Sequence, residues 1–440
     1  MSNTSKNTPK VGIDRITFAT PNCYLSMKDL AIARGIDPNK FTIGIGQSQQ
    51  AVPPNHQDIV TLGAQAALPL LPYIDNSRLK MVIVGTESGV DASKSSALYI
   101  HRLLDLSPWV RCVEVKEACY GGTAALMMAR DYVLTHPSAQ VLVIAADIAR
   151  YGVGTPGEVT QGAGAVAMLV SENPHVLQIN DDSVVKSAEI QDFWRPVYQS
   201  TALARGKFST EQYIHMFCDV WQQYSAKNDC NFNDFEAICF HLPYTKMGLK
   251  ALRAGFEANS CASLTDDTRE RLLARYQDST QYSRRIGNIY TGSLYLGLIS
   301  LLDYDYFRNF DYSSESAGDS SVSYDSSITG DLSSGTHTNE SPSSPLLPGQ
   351  KIGLFSYGSG AVAEFFSATL VPDWRSALFS NRHLKALNNR TQLSVSQYEE
   401  MFNSAAPYSP QDFVSSQENR SGAQFVLDSI TSQERHYRSI

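Results

Sequence analysis

Short apolar runs alternate with amphipathic stretches along the first 170 residues. The runs are continuous and rich in Val, Ile and Ala, which is typical of strands buried on both faces; they lie at 80–88, 113–116, 141–146 and 162–170. The stretches at 94–104 and 121–134 carry apolar residues at helical spacing. Strands that alternate with helices predict an α/β layer.

The second half of the chain repeats this pattern. Residues 237–241 read as a buried strand, 245–254 as a helix, and 351–357 as a strand that enters the glycine-rich segment 358–360. Identity between the halves is too low to define a repeat from the sequence alone. We therefore predict an N-terminal half over 1–174 and a C-terminal half over 175–404.

A serine-rich segment interrupts the second half at 309–350. Within 311–348 there are 13 Ser and six acidic residues, with little apolar content. Such a segment buries too little surface to offset its ordering entropy, so we predict a disordered surface insertion. The tail over 405–440 is polar and is predicted to hold two helical stretches at most.

Composition and charge narrow the class of protein. The chain has 440 residues, of which 42% are hydrophobic, enough for a large core without disulfides or metals. Its net charge of −8 argues against a nucleic-acid or anionic-membrane binder. No apolar run is long enough to span a bilayer, and the first residues lack the apolar segment of a secretory signal. Seven Cys without a CxxC motif predict a cytoplasmic protein with neither a disulfide framework nor a zinc site.

Cys119 has the sequence context of a reactive thiol. It lies between a predicted strand and a predicted helix, where the helix N-terminus would lower its pKa and favour the thiolate. Gly121 and Gly122 would let backbone N–H groups approach a substrate carbonyl oxygen. A buried structural thiol is the alternative.

Three further residues at the ends of predicted elements are suited to chemistry. Glu87 ends a buried strand, where burial would raise its pKa toward neutrality and suit it to general acid or base work. His241 ends another strand and can donate to a carbonyl oxygen or move a proton. Asn288 opens a helix and can offer its amide to a ligand. A solvated Glu, a core His and an N-cap Asn are the structural alternatives.

Seven longer segments occur in one order along the chain, at 41–47, 86–88, 117–119, 192–196, 240–248, 287–293 and 355–360. Together they resemble 3-hydroxy-3-methylglutaryl-CoA synthase (hydroxymethylglutaryl-CoA synthase) of the bacterial mevalonate type. The resemblance runs from about residue 11 to 404, and the serine-rich insertion is its main departure from the family pattern.

The resemblance implies the thiolase fold, with two similar α/β halves in a five-layered αβαβα arrangement, and a homodimer. It implies an acyltransferase of isoprenoid biosynthesis that condenses acetyl-CoA with acetoacetyl-CoA and water, giving 3-hydroxy-3-methylglutaryl-CoA and CoA without a metal or other cofactor. The catalytic residues of the family match Cys119, Glu87 and His241. By resemblance, Cys119 would carry the acetyl group, Glu87 would remove a methyl proton, and His241 would polarise the acceptor carbonyl.

The resemblance also implies a set of substrate-binding residues. Asn288 and Ser359 would contact the acyl part, with Tyr151 and Thr160 in the same cavity. Three residues would lie along the CoA arm: Ser209, Lys246 and Lys250. The two lysines would face the CoA phosphates, and a solvated helix face is the alternative for both.

Four other functions compete with this one. A relative from polyketide β-branching performs the same step on carrier-protein-bound acyl groups and keeps all three catalytic types. A ketoacyl synthase would use Cys119, His241 and Asn288, and Glu87 argues against it. A Cys-His-Asn hydrolase lacks its family signatures. A non-catalytic protein of the same fold could bind partners through the serine-rich segment, but it would not need all three catalytic residues.

Overall fold

Strands and helices alternate through most of the chain. The computed structural model describes residues 9–258, 264–309, 344–406 and 409–440. Its strands are β1 (Val11–Ala19), β2 (Cys23–Ser26), β3 (Gln49–Ala51), β4 (Leu79–Gly85), β5 (Arg111–Val115), β6 (Gln140–Ala149), β7 (Gly162–Glu172), β8 (Leu177–Ile179), β9 (Val184–Ser187), β10 (Phe193–Trp194), β11 (Leu203–Ala204), β12 (Ala237–Phe240), β13 (Lys351–Gly358), β14 (Val362–Leu370), β15 (Thr391–Leu393), β16 (Phe413–Val414), β17 (Phe425–Thr431) and β18 (Glu434–Ser439).

The α-helices connect these strands and cover the sheet. They are α1 (Met27–Ala33), α2 (Ile59–Ala67), α3 (Ser96–Leu103), α4 (Gly121–Thr135), α5 (Gly206–Asn228), α6 (Thr245–Ala258), α7 (Asp266–Ile286), α8 (Ser293–Asn309), α9 (Ser380–Asn388) and α10 (Val395–Asn403). Single 3₁₀ turns at Glu158–Thr160 and Tyr290–Gly292 come directly before β7 and α8.

The main sheet contains two similar sets of strands, five in the first half and four in the second, not counting β9. Its order is β12-β13-β14-β8-β1-β7-β6-β4-β5, with β9 beside β14. In the first half β5, β4 and β6 are parallel, and β7 and β1 then alternate in direction. In the second half β12 and β13 are parallel, and β14 and β8 alternate likewise. The halves join where β1 pairs with β8.

The helices pack against this sheet in three apolar clusters. Helices α4 and α8 lie in the central core, between residues of both halves of the sheet. Helices α2 and α3 cover the outer face of the first half, and α5 and α6 cover that of the second. The order of layers is helix, sheet, helix, sheet, helix, which confirms the predicted αβαβα arrangement. The division of the chain into domains at 174 and 404 stays a prediction.

The elements that carry the candidate residues form where the sequence predicts them. The helix predicted over 121–134 is α4, and the one predicted over 245–254 is α6, extended by one turn. The strand predicted over 80–88 is shorter, because β4 ends at Gly85 and the side chain of Asp147 then accepts from the hydroxyl of Thr86 and the backbone N–H of Glu87.

The prediction of helices in the tail after residue 405 was wrong. In the described part of this tail, β16, β17 and β18 form an antiparallel sheet. Phe425, Leu427 and Ile430 pack into the core beside α2 and α3. The side chains of this tail that reach the core are aromatic or aliphatic at strand spacing, so burial decides for strand over helix.

The serine-rich insertion predicted over 309–350 lies outside the described residues, except for its two ends. Leu346 is buried and its backbone N–H donates to Asp305 of α8, which holds the returning chain against that helix. In the described ranges, no helix has both the length and the apolar character that crossing a membrane requires.

Candidate active site

The thiol of Cys119 and the carboxylate of Glu87 are in direct contact. The distance between Cys119 Sγ and Glu87 Oε1 is 3.1 Å, and both side chains are buried. Their strands explain the contact, because β4 and β5 are parallel neighbours whose carboxyl ends meet at one edge of the sheet. The order of the strands therefore brings the two predicted residues to the same edge of the sheet.

The backbone around this pair is held by buried polar contacts. Asp147, at the far end of β6, is fully buried and its Oδ1 accepts from the backbone N–H of Glu87 at 2.9 Å. Its Oδ2 accepts from the backbone N–H of Thr291 at 3.1 Å, so it links the two halves. A guanidinium N–H of Arg195 donates to the backbone oxygen of Glu87. Ala118 has a positive φ of 41°, a conformation that turns the chain sharply just before Cys119.

The second half brings His241 and Ser359 to the equivalent edge. His241 directly follows β12 and Ser359 directly follows β13, and these strands are parallel neighbours. The two halves touch at Gly358, where a Cβ atom would come within 2.8 Å of the backbone nitrogen of Tyr120. Glycine is needed there because any side chain would displace the turn that carries the thiol.

Asn288 lies on the same side as the thiol, beside Tyr151. The amide of Asn288 donates to the Tyr151 hydroxyl at 3.4 Å, while its oxygen accepts from the backbone N–H of Tyr290. The rings of Tyr151, Tyr290 and Phe193 meet edge to face and form one cluster with Cys119. These aromatic rings make an apolar wall next to the thiol.

Burial sets the protonation of the three predicted catalytic groups. It raises the pKa of Glu87 to about 8, with the nearby Asp147 carboxylate as the second cause, which confirms the predicted direction. It also raises the pKa of the Cys119 thiol well above its usual value, and the Glu87 carboxylate adds to this. The prediction of a lowered Cys119 pKa was therefore wrong for the protein without substrate. The helix N-terminus cannot compensate for a buried thiol beside a carboxylate.

His241 is a neutral imidazole at ordinary pH. Burial lowers its pKa to about 3. Its backbone is fixed at both ends, because its N–H donates to Phe355 and its carbonyl accepts from the Tyr213 hydroxyl at 2.6 Å. Within the described residues, Nε2 is buried and makes no hydrogen bond. A buried ring nitrogen without a partner is free to bind a polar group of a ligand.

The remaining predicted residues are Thr160, Ser209 and the two lysines, which lie on the helix that begins four residues after His241. The Thr160 hydroxyl turns to the carbonyl of Gly157, although its backbone oxygen accepts from the Asn288 N–H at 3.4 Å. Ser209 donates to Asp192 at 3.4 Å from the first turn of α5. Both lysines lie on α6. Lys246 is partly buried, which lowers its pKa together with the charges of Arg253 and Arg284, whereas Lys250 donates to the Tyr244 hydroxyl at 3.1 Å.

Two buried aspartates at the site were not among the predicted site residues. Asp147 ends the apolar run of β6, and a carboxylate at the end of a buried strand is the signal that could have found it. Asp192 is fully buried and accepts from the Tyr357 hydroxyl at 2.7 Å and from the Gly360 N–H at 3.0 Å. It thereby fixes the loop that carries Ser359.

The described residues contain no group of three or more His, Cys, Asp or Glu side chains arranged to hold a metal ion. What the site does contain is a thiol, a carboxyl group in contact with it, a neutral imidazole and an amide. This set can transfer an acyl group to sulfur and move a proton at carbon.

The stacked halves, with functional groups at the strand ends of each, define a thiolase-like fold. The N-terminal domain of hydroxymethylglutaryl-coenzyme A synthase matches residues 7–175, and the C-terminal domain matches 315–438. The hydroxymethylglutaryl-CoA synthase of Enterococcus faecalis is 46% identical over 392 residues, which cover 89% of this chain and 91% of that protein. The chain therefore belongs to the hydroxymethylglutaryl-CoA synthase family.

Two further relatives agree with this assignment. A crystal structure of an HMG-CoA synthase complexed with CoA superposes with a TM-score of 0.84 at 40% identity, covering 98% of this chain and all of the other. The polyketide biosynthesis 3-hydroxy-3-methylglutaryl-ACP synthase of Bacillus subtilis is more distant, at 30% identity over 89% of this chain and 87% of that protein.

Proposed function

We propose that this protein condenses acetyl-CoA with acetoacetyl-CoA and water to give 3-hydroxy-3-methylglutaryl-CoA and CoA, in the mevalonate route to isoprenoids. The observation that carries the proposal is the contact of Cys119 with Glu87 in a chain of this family, with His241 at the matching edge of the second half. Cys119 accepts the acetyl group as a thioester, and CoA leaves as the thiol.

Glu87 serves as the base of the carbon–carbon bond-forming step. The pKa of the Glu87 carboxyl group, about 8, lies close to the working pH, which is the condition for efficient proton transfer in either direction. It takes a proton from the methyl group of acetyl-Cys119, and the resulting enolate attacks C3 of acetoacetyl-CoA. Water then hydrolyses the Cys119 thioester and frees the product.

His241 stabilises the oxygen on which charge develops. Because its pKa is about 3, it acts as a neutral hydrogen-bond donor rather than as a cation. The C3 carbonyl oxygen of acetoacetyl-CoA becomes an alkoxide during the attack, and a preformed donor in a buried site favours this change. Asn288, Tyr151 and Ser359 hold the acyl group, with Thr160 beside them.

A cluster of positive charge on α6 and α7 supports a phosphate-bearing substrate. Lys246 lies near Arg253 and Arg284, and the charges of these arginines lower its pKa. Three cations kept close together disfavour one another unless an anion joins them. We assign this cluster, together with Lys250 and Ser209, to the CoA arm.

Product analysis by mass spectrometry tests the activity. We expect the purified protein to form 3-hydroxy-3-methylglutaryl-CoA and CoA from the two substrates. Cys119→Ala should form no acetyl-enzyme, whereas Glu87→Ala should become acetylated and fail to condense. Acetylation of Cys119 without product would favour a carrier-protein-bound acceptor, as in the polyketide relative. Equal loss of both steps in Glu87→Ala would contradict the assignment of Glu87.

We further propose a homodimer formed through β5. This strand ends the main sheet, so one row of its backbone groups has no neighbouring strand within the described part of the chain. Its Val113 side chain is exposed, as are Leu98 of α3, Met128 of α4 and Trp109 before the strand. An unpaired strand edge with exposed apolar side chains beside it pairs readily with its own copy about a two-fold axis.

The proposed location is the cytoplasm. Six cysteines in the described ranges are free thiols. Free thiols, including that of Cys119, persist in a reducing compartment.

A further inference from the structure

Gln161 connects the active-site wall to the ion pair that Arg34 forms with the buried Glu158. Its Oε1 accepts from the backbone N–H groups of Tyr151 and Gly152, at 2.8 and 3.1 Å. Its Nε2 donates to the Tyr398 hydroxyl at 2.9 Å. Gln161 is 4% exposed, so these partners replace water for its amide.

The ion pair of Arg34 with Glu158 fixes the direction of each hydrogen bond in the series that ends at Gln161. Glu158 is buried and forms two parallel hydrogen bonds with Arg34, at 2.9 and 2.8 Å, so it is held as a carboxylate that can only accept. The Tyr398 hydroxyl must then donate to Glu158, at 3.0 Å, and accept from Gln161. The Gln161 amide is left with its oxygen toward Tyr151, which is the orientation that two backbone donors require.

The same segment also supports Asn288. Gly162 follows Gln161, and a Cβ atom on Gly162 would lie 2.6 Å from the Asn288 backbone oxygen. The segment therefore packs directly beneath Asn288 while its glutamine holds Tyr151. These two residues contact each other next to Cys119.

We propose that Gln161 is a positioning residue for the acyl pocket, with Arg34, Glu158 and Tyr398 as the chain that orients it. This inference rests on the proposed function. Gln161 does not reach the thiol itself; it acts through Tyr151, whose ring lies in the cluster with Cys119. A small displacement of such a wall residue lowers the rate of the chemical steps more than it weakens substrate binding.

The test compares Gln161→Met with Gln140→Met. Gln140 is a buried glutamine far from the site that makes the same kinds of bond, accepting from the Asp75 N–H at 2.8 Å and donating to the Tyr73 carbonyl at 3.0 Å. Condensation is followed with acetyl-CoA and acetoacetyl-CoA, and kcat is expressed per acetylatable Cys119. We expect Gln161→Met to lower kcat roughly 10- to 100-fold with little change in KM. Gln140→Met should lose a similar amount of thermal stability and keep its kcat.

A double-mutant cycle identifies the route of the effect. In a Tyr151→Ala background, Gln161→Met should change kcat by less than about twofold, because the Tyr151 ring through which Gln161 acts is gone. Tyr398→Phe removes only the orienting hydroxyl, so it should lower kcat less than Gln161→Met does, and it decides the question if Gln161→Met does not fold.

Three results would overturn the inference. The first is a wild-type kcat in Gln161→Met, or in Tyr398→Phe where that variant is used instead. The second is an equal loss of kcat in Gln161→Met and Gln140→Met, and the third is an undiminished effect of Gln161→Met on kcat in the Tyr151→Ala background. Absence of product from the unmodified protein would instead refute the proposed function.

Discussion

Replacing Glu87 by Gln should stabilise the folded protein while it abolishes condensation. The folded structure raises the pKa of Glu87 from 4.5 to about 8, chiefly through burial. Between these two values the folded protein keeps a proton that the unfolded chain has released. Raising the pH across this window therefore lowers the free energy of unfolding. Gln cannot ionise, so Glu87→Gln removes that loss.

The pKa values give the size of the effect. The difference between 4.5 and about 8 corresponds to ~5 kcal/mol at ~1.36 kcal/mol for each pKa step. Unfolding entropy of ~2.1 cal/mol/K per residue over 440 residues converts this into about 5 °C in Tm. The hydrogen bond from Cys119 survives the change, because the amide oxygen of Gln can accept it.

Thermal unfolding at pH 5 and pH 8 measures this directly. We expect Glu87→Gln to raise Tm by about 5 °C at pH 8 and by much less at pH 5, where Glu87 is protonated in the folded protein. Glu158→Gln is the matched control, since Glu158 is an equally buried carboxylate that pairs with Arg34. Its replacement should lower Tm at both pH values, because it leaves the guanidinium without that partner.

The pH dependence of the gain decides whether the reasoning holds. An equal change in Tm at pH 5 and pH 8 would mean that Glu87 does not titrate between them. A loss of stability at pH 8 would mean that the Glu87 carboxylate is stabilised by its surroundings, contrary to the burial of the pair.

Two other predictions concern the buried His241 and the exposed edge of β5. Burial lowers the pKa of His241 from 6.5 to about 3, so the unfolded chain binds a proton that the folded protein excludes, and stability falls as the pH drops below 6.5. Between pH 7 and pH 5, the Tm of His241→Asn should therefore fall less than that of the unmodified protein. An unchanged fall in Tm would show that other groups cause the acid sensitivity. Val113→Asp places like charges opposite each other in the proposed β5–β5 pairing, and light scattering should detect monomers, whereas the exposed replacement Val185→Asp on β9 should leave the dimer intact.

Strand order explains why the predicted catalytic residues lie together in the structure. Glu87, Cys119, His241 and Ser359 each follow a strand of the main sheet directly or within a few residues. Parallel neighbouring strands end at one edge, so each pair of residues meets because its two strands are neighbours in the sheet. The directions in which the side chains of Lys246 and Lys250 point depend on rotation about the axis of α6, which the order of the strands does not determine.

The electrostatics of the site could not be predicted from the same pattern. The helix N-terminus suggests a lowered pKa for Cys119, but the depth of burial and the position of Glu87 determine it in the folded protein. Asp147 adds negative charge behind both residues from a third strand. A pKa depends on burial and on all the charges that lie nearby in three dimensions, whereas the neighbouring sequence shows only one of these effects.

The two halves need each other to form a working site. Thr291 of the second half donates to Asp147, which holds Glu87 in the first. Tyr120, next to the thiol, donates to Glu364 of β14 at 2.6 Å. Because each half fixes the polar groups of the other, misalignment would leave buried donors and acceptors unpaired, at a cost of ~1–3 kcal/mol each. The geometry of Cys119 and Glu87 is thus enforced by the packing of the two halves, and the stability that Glu87 removes at neutral pH is supplied by that packing.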